Sequence, residues 1–267
     1  INFPSGTMKF GLTFLLIIVL LAACSEQQTP KSYDWQLRAR FPVPQVPENN
    51  PMTAEKVELG RHLFYDTRLS FNEKQSCASC HQQQHAFAEP LLTSVGTTGE
   101  VHRRNSLALV NVAYNKTLTW AHDQLTTIER QVLIPMFGEQ PIELGITGHE
   151  TPILAKLVAD ERYQQLFNEA YPNRKVSFEL ISHALASFVR SLTSFNSRFD
   201  AYAYDMQDDA LTDSELSGMA LFFSEKLECH HCHGGFNFTQ STSHEKQPLD
   251  RRPFHNTGLY NVMGEFS

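Results

Sequence analysis

The sequence predicts a mainly α-helical protein, and three observations carry that expectation. Apolar side chains recur at helical spacing across residues 177–199, helix-capping signatures precede several such stretches, and no run alternates as a half-buried strand would. The composition is that of a globular chain: 267 residues, 41% hydrophobic and 19% charged, enough apolar material for one or two cores. A formal net charge of −7 offers no basic surface, so nucleic acid is not an expected partner.

Residues 1–7, INFPSGT, read as an upstream extension ahead of a start at Met8. From there MKFGLTFLLIIVLLAAC joins a lysine, an apolar run from Phe10 to Ala23, and Cys24. The run is shorter than the ~20 residues of a spanning helix, so 8–23 reads as a signal peptide. The small residues Ala22 and Ala23 before Cys24 resemble a bacterial lipobox, which makes Cys24 the lipidated mature N-terminus. The protein is therefore expected to be exported and periplasmic, touching the membrane only through a lipid anchor. Ser25 after the cysteine points to the outer membrane of a Gram-negative host. Residues 24–50 are polar and proline-bearing and read as a tether and leading loop.

Beyond the tether, Pro51 and Thr53 precede a helix through AEKVELGRHLFYD, with Leu59 and Leu63 one turn apart. Short helices are predicted at Ser106–Tyr114 and from Thr126 to Ile134, the second stopped by Pro135. Thr151 and Pro152 form a cap and first-turn proline for another helix. The strongest helical pattern runs from Ser177 to Phe199, where Ile181, Leu185, Phe188, Leu192 and Phe195 form one apolar stripe. TDSE at Thr212–Glu215 is a capping box that opens a helix carrying Leu216, Met219 and Phe223.

The cysteines carry the chemistry. With Cys24 assigned to the lipid, Cys77, Cys80, Cys229 and Cys232 remain of five, in CASCH and CHHCH. Each pair is Cys-x-x-Cys followed at once by histidine, His81 and His233. A four-cysteine zinc site would leave both histidines coincidental. A thioredoxin-like pair would follow a strand, whereas both motifs follow helical segments. Covalent c-type haem uses every residue: the thiols add to the haem and the adjacent imidazole reaches the iron. Export meets the remaining requirement. Two haem-bearing lobes, divided near residue 205, are the expected architecture.

The stretches LGRHLFYD, SCASCHQQQHAFAE, RRNSLALVNVAYN, IERQVLIP and PIELG resemble the bacterial di-haem cytochrome c peroxidase and MauG superfamily. Within it, WAHDQLTTIERQVLIPMFGEQPIELG and CHHCHGGFNFT are most similar to the methanobactin-associated, MbnH-like di-haem enzymes. The resemblance implies two cytochrome c-like domains: 51–204 with the peroxide-reacting haem on His81, and 205–267 with the electron-transfer haem on His233. It also makes Trp120 an electron relay between the haems, where an ordinary core tryptophan is the plainer reading. Glu143 and Gln131 become the distal pair, the carboxylate shuttling a proton and the amide orienting peroxide; otherwise they read as surface and helix-face residues. Asn105 becomes a ligand of one calcium ion between the haems, where a helix cap is the alternative.

Two departures from the family pattern matter. Thr97 follows SVG where reductively activated members carry a distal histidine, and His102, five residues later, reads as a surface residue. The first haem is therefore expected to keep an open sixth position. The stretch after His233 is too short to finish a second lobe, so this lobe is expected to be incomplete, with Met263 too early to supply an axial ligand. The leading functional expectation is an enzyme that uses hydrogen peroxide to oxidise an exported partner protein at a tryptophan. A cytochrome c peroxidase drawing electrons from a small donor cytochrome is the first alternative, and a non-catalytic di-haem carrier the second.

Overall fold

Thr53 caps the first helix, α1 (Ala54–Tyr65), by accepting from the Lys56 backbone N–H at 3.2 Å. The computed structural model describes residues 33–39, 41–120, 123–247 and 254–255. The signal segment, Cys24 and Met263 lie outside the described residues. The helices that follow are α2 (Cys77–Cys80), α3 (Ile128–Gln131), α4 (Leu133–Phe137), α5 (Glu150–Ala159), α6 (Glu161–Ala170), α7 (Phe178–Ser191), α8 (Arg198–Asp205), α9 (Asp213–Phe222) and α10 (His230–His233). Isolated bridges, but no strands, occur among the described residues, so the expected mainly α class holds. None of these helices is long and apolar enough to cross a membrane.

The core is organised by the crossing of α1 and α7. Leu59, Leu63 and Phe64 from α1 meet Ile181, Ala184, Leu185 and Phe188 from α7, all buried. The two backbones approach so closely that a Cβ on Gly60 would lie 2.0 Å from the Ala184 carbonyl oxygen and 2.8 Å from Phe188 Cβ. Glycine is required there by space.

Several expected elements end elsewhere. No helix forms over residues 106–111; that stretch runs without regular structure to a 3-10 turn at Val112–Tyr114. Ser106 donates its N–H to Glu89 Oε1 at 3.3 Å, and Asn111 takes a left-handed φ of 59°. The segment trades helical hydrogen bonds for length, because it walls a cavity.

Helix α7 stops at Ser191, short of the predicted Phe199. Asn111 intervenes: its N–H donates to Leu192 O at 2.8 Å, and its side chain bonds both Ser194 N and Ser194 O. A capping box of Ser197 and Asp200 then starts α8.

Pro135 does not stop a helix. The backbone turns at Val132 and α4 begins at Leu133, so Pro135 occupies a first turn where no N–H is needed. Helix α5 starts at Glu150, just ahead of the expected Thr151 and Pro152. Helix α6 had no counterpart in the expectation, although Asp160 accepts from both Arg162 N and Tyr163 N as its cap. The Thr212–Glu215 capping box of α9 forms as predicted, but no residue of that helix is buried.

Replacing Gly60 by alanine forces one methyl into this crossing. The variant should lose ~1–3 kcal/mol by overpacking, measured as a lower denaturation midpoint with unchanged denaturant slope.

Candidate functional site

One cavity of about 1100 Å³ lies against α2, α3 and the extended 104–109 segment. Cys77, Cys80, His81, Asn105, Trp120, Gln131 and Glu143 all line it. Residues far apart in sequence, each singled out above, thus converge on a single space.

The first motif is a single helical turn. Ser76 donates its N–H to Ser79 Oγ at 3.0 Å, and His81 N–H donates to Cys77 O at 2.9 Å. Cys77 and Cys80, three residues apart, therefore share one face with His81 one step on. The chain then reverses through Ala86 and Phe87, two successive non-glycine residues at φ of 55° and 59°. That reversal brings Phe87 O to 2.8 Å from His81 Nδ1. With Nδ1–H donating to this carbonyl, Nε2 is the nitrogen left to bind a metal, while the Leu107 backbone also interacts with the ring. Burial holds the His81 imidazole below its usual pKa, which keeps it neutral. Phe87, which the sequence reading did not single out, is the anchor: its buried ring packs 5.9 Å from Phe64 and 6.4 Å from Phe188.

The thiols are protonated. Burial pushes Cys77 up to about 12 and Cys80 up to about 11. Disulfide exchange needs a thiolate, so this environment disfavours it. All four Cys-x-x-Cys thiols are free, and the two pairs do not gather around one centre. The tetrahedral zinc alternative has no geometry here among the described residues.

Opposite groups are placed by loop contacts. Glu143 is held by its backbone: Thr97 N–H donates to Glu143 O at 2.8 Å, and Leu144 N–H donates to Pro135 O at 2.9 Å. Gly96 allows this, since a Cβ there would lie 1.8 Å from Ile142 O. Burial pushes the Glu143 carboxyl up to about 7. Gln131, at the end of α3, lines the cavity, and its Oε1 is buried without a hydrogen-bond partner. Trp120 is 43% exposed; its Nε1–H donates to Asn105 O at 3.2 Å and the Arg104 guanidinium lies 5.5 Å from its ring. Asn105 caps no helix: Nδ2 donates to the Glu89 and Leu91 carbonyls. Thr97 turns its hydroxyl to Asn72 Oδ1 at 2.7 Å.

His102 corrects an expectation. It is half-buried and lines the cavity rather than the surface, with its backbone N–H on Ser94 O at 2.9 Å.

The second motif repeats the first in miniature. His233 N–H donates to Cys229 O at 2.9 Å, and His233 Nδ1 lies 3.3 Å from Phe238 O. Asn237 and Phe238, at φ of 60° and 53°, make the same reversal as Ala86 and Phe87. The surroundings differ: Cys232 and His233 are exposed. A second cavity of about 620 Å³, lined by Phe195, Phe199, Tyr204 and Phe236 among others, lies beside the loop that follows His233.

Paired thiols, an imidazole fixed through Nδ1, and a large part-apolar cavity define a c-type haem protein with its ligand device duplicated. The chain belongs to the di-haem cytochrome c peroxidase family, whose pattern matches residues 54–208. It is 27% identical over 238 residues to methylamine utilization protein MauG of Methylophilus methylotrophus, covering 88% of this chain and 69% of that protein. It is 34% identical over 194 residues to cytochrome c peroxidase Ccp of Escherichia coli K12, covering 73% of this chain and 40% of that protein. The crystal structure of a MauG-like protein associated with microbial copper homeostasis superposes with a TM-score of 0.82 and 42% identity, over 86% of this chain and 66% of that one. The chain thus spans from 40% to 69% of the length of these relatives. The residues fit the haem that the family implies: Cys77, Cys80 and His81 share the cavity, and Gln131 leaves a buried acceptor unsatisfied there.

A carboxyl raised from its ordinary 4.5 to about 7 on folding stabilises the protein most at low pH, and that stability is lost as pH rises through 7. Glu143→Gln removes this dependence. Its melting temperature relative to the unsubstituted protein should therefore be higher at pH 8 than at pH 5, measured by calorimetry at both values.

Proposed function

We propose that this chain forms the peroxide-reacting half, and the start of the electron-transfer half, of an enzyme that uses hydrogen peroxide to oxidise a tryptophan of an exported partner protein. The observation that carries this is the meeting of Gln131, Glu143 and His81 on one cavity. When bound on Cys77, Cys80 and His81, the haem supplies an iron able to take oxidising equivalents from peroxide. The protein residues supply the rest. Gln131 Oε1, an acceptor without a partner, takes a hydrogen bond from the peroxide O–H and orients the molecule. Glu143, raised to about 7, takes the proton from one peroxide oxygen and returns it to the departing one. Trp120, which lines the cavity and is 43% exposed, is suited to relay the equivalent outward. His233, with Nδ1 near Phe238 O, would hold the second haem as His81 holds the first.

Similarity to MauG and to a MauG-like protein at 42% identity favours the MauG-like reading over the plain peroxidase. The alternative, peroxide detoxification with electrons from a donor cytochrome, is favoured by one observation: His102 lines the cavity and would offer a second imidazole to the haem there. A plain carrier fits less well, because a carrier has no use for an orienting amide and a protonatable carboxyl. The proposal includes a calcium ion at Asn105, whose Oδ1 is the atom left to offer once Nδ2 is committed to two carbonyls. It also includes export and a lipid anchor on Cys24, facing the periplasm.

The test is stopped-flow mixing of the oxidised, fully haem-loaded protein with hydrogen peroxide, read in the Soret region. The oxidised protein should react without a prior electron, and His102→Ala should react at the same rate. Glu143→Gln should slow the reaction by ~10²-fold, about 2.7 kcal/mol in barrier. Trp120→Phe should leave the first spectral change intact and remove the change at the second haem. An oxidised protein that is inert until half-reduced, and that His102→Ala releases, would make the detoxifying peroxidase the correct reading.

A further inference from the structure

The haem device uses the cysteines and the last histidine of CHHCH and leaves its inner pair, His230 and His231, without a task. We propose that these two histidines and Glu225 form a binding site for one divalent ion of the late first transition row, Cu²⁺ or Zn²⁺, beside the second haem motif. The reading is independent of the peroxide chemistry above.

Among the described residues, Glu225, His230 and His231 form the group of ligand-bearing side chains whose ligand atoms all lie within 4.8 Å of one another. Glu225 Oε1 lies 3.7 Å from His230 Nε2, and Glu225 Oε2 lies 3.8 Å from His231 Nε2. Those separations are too long for hydrogen bonds. They are close to what one ion needs, since donors at ~2.0–2.2 Å in a tetrahedral shell stand ~3.3 Å apart. Closing the site draws the Glu225 side chain and the two imidazoles in together, since the three ligand atoms lie within 4.8 Å of one another.

The backbone brings the three together. Glu228, at a left-handed φ of 54°, folds the chain back after α9, and His231 N–H donates to Glu228 O at 3.1 Å. Residue 225 thereby returns over the first turn of α10. The imidazoles meet edge to face with centroids 4.4 Å apart. No hydrogen bond to another side chain holds His230 among the described residues, and Nε2 is the ring nitrogen that faces Glu225.

Two imidazoles and one carboxylate suit Zn²⁺ and Cu²⁺, and the order of divalent affinities favours Cu²⁺. The side chain of Glu225 is 80% exposed and that of His231 52%, so an ion can enter and water can complete the shell. Once bound, the ion would clip the exit of α9 to the helix that carries His233, in a region whose residues are otherwise little buried.

The test uses the full chain with both haems attached, treated with chelator and then dialysed. It is titrated with Cu²⁺ and, separately, with Zn²⁺ by calorimetry, in parallel with Glu225→Gln and His231→Gln. One equivalent is expected, bound tighter for Cu²⁺ than for Zn²⁺ and weakened at least ~10-fold in each variant. The Cu²⁺ complex should show nitrogen hyperfine structure in its electron paramagnetic resonance spectrum. Glu225 lies outside the haem motif, so its substitution keeps the comparison valid if His231→Gln lowers haem content. Absence of a saturable equivalent, or equal affinity in the parent and Glu225→Gln, would overturn the site.

Discussion

The buried ion pair between Arg190 and Glu129 fixes the relation of the first cavity to the core. Arg190, on the last turn of α7, is 2% exposed and bonds both carboxylate oxygens of Glu129 at 2.7 and 3.0 Å. Asn50 Nδ2 donates to the same carboxylate at 2.8 Å, while Lys56 Nζ reaches Asn50 Oδ1 at 3.2 Å. Burial lowers the Lys56 pKa while Glu129 opposes that shift, so the network is balanced only when all members are present. Glu129 lies in the single turn of α3 that ends at Gln131. An isolated turn of four residues has little stability of its own. The charge pair, more than helix propensity, holds Gln131 at the cavity wall.

A second constraint concerns histidine orientation. In both motifs the ring is aimed by a backbone carbonyl, Phe87 O for His81 and Phe238 O for His233. Each carbonyl is presented by a pair of non-glycine residues with left-handed φ. Such conformations persist only where the surroundings impose them. At the first motif the surroundings are the aromatic cluster of Phe64, Phe87 and Phe188. At the second, Phe238 packs against Phe199 at 4.9 Å and Phe222 at 5.9 Å. Aromatic packing therefore sets the direction in which each imidazole can bind a metal.

The two sites differ in enclosure. The first has an extended wall at 104–109, a floor from α1 and α7, and loops brought within backbone contact at Gly96. Enclosure is what raises Glu143 and keeps His81 neutral. The second motif is exposed, and its neighbouring helix α9 buries nothing.

The sequence by itself determined the class and marked the candidate ligands. Covalent logic needs only neighbours in the chain, so CASCH and CHHCH could be read as candidate attachment motifs, and the capping signatures at Thr53 and Thr212 located two helix starts. The apolar stripe of α7 also named its core residues correctly as far as Phe188. Resemblance supplied Trp120, Gln131 and Glu143, which spacing alone would have left as ordinary residues. Tertiary structure decided the rest. Helical periodicity continued past Ser191, but side-chain bonds from Asn111, some 80 residues earlier, outcompeted the last turns. The 106–111 segment gave up its helix to span a cavity wall, and His102, polar and isolated in sequence, was drawn into that same wall. The carboxyl of Glu143 is raised by burial that loops distant in sequence create together. Local pattern reports what the backbone prefers; which groups meet, and in what dielectric, depends on contacts that only the folded chain makes.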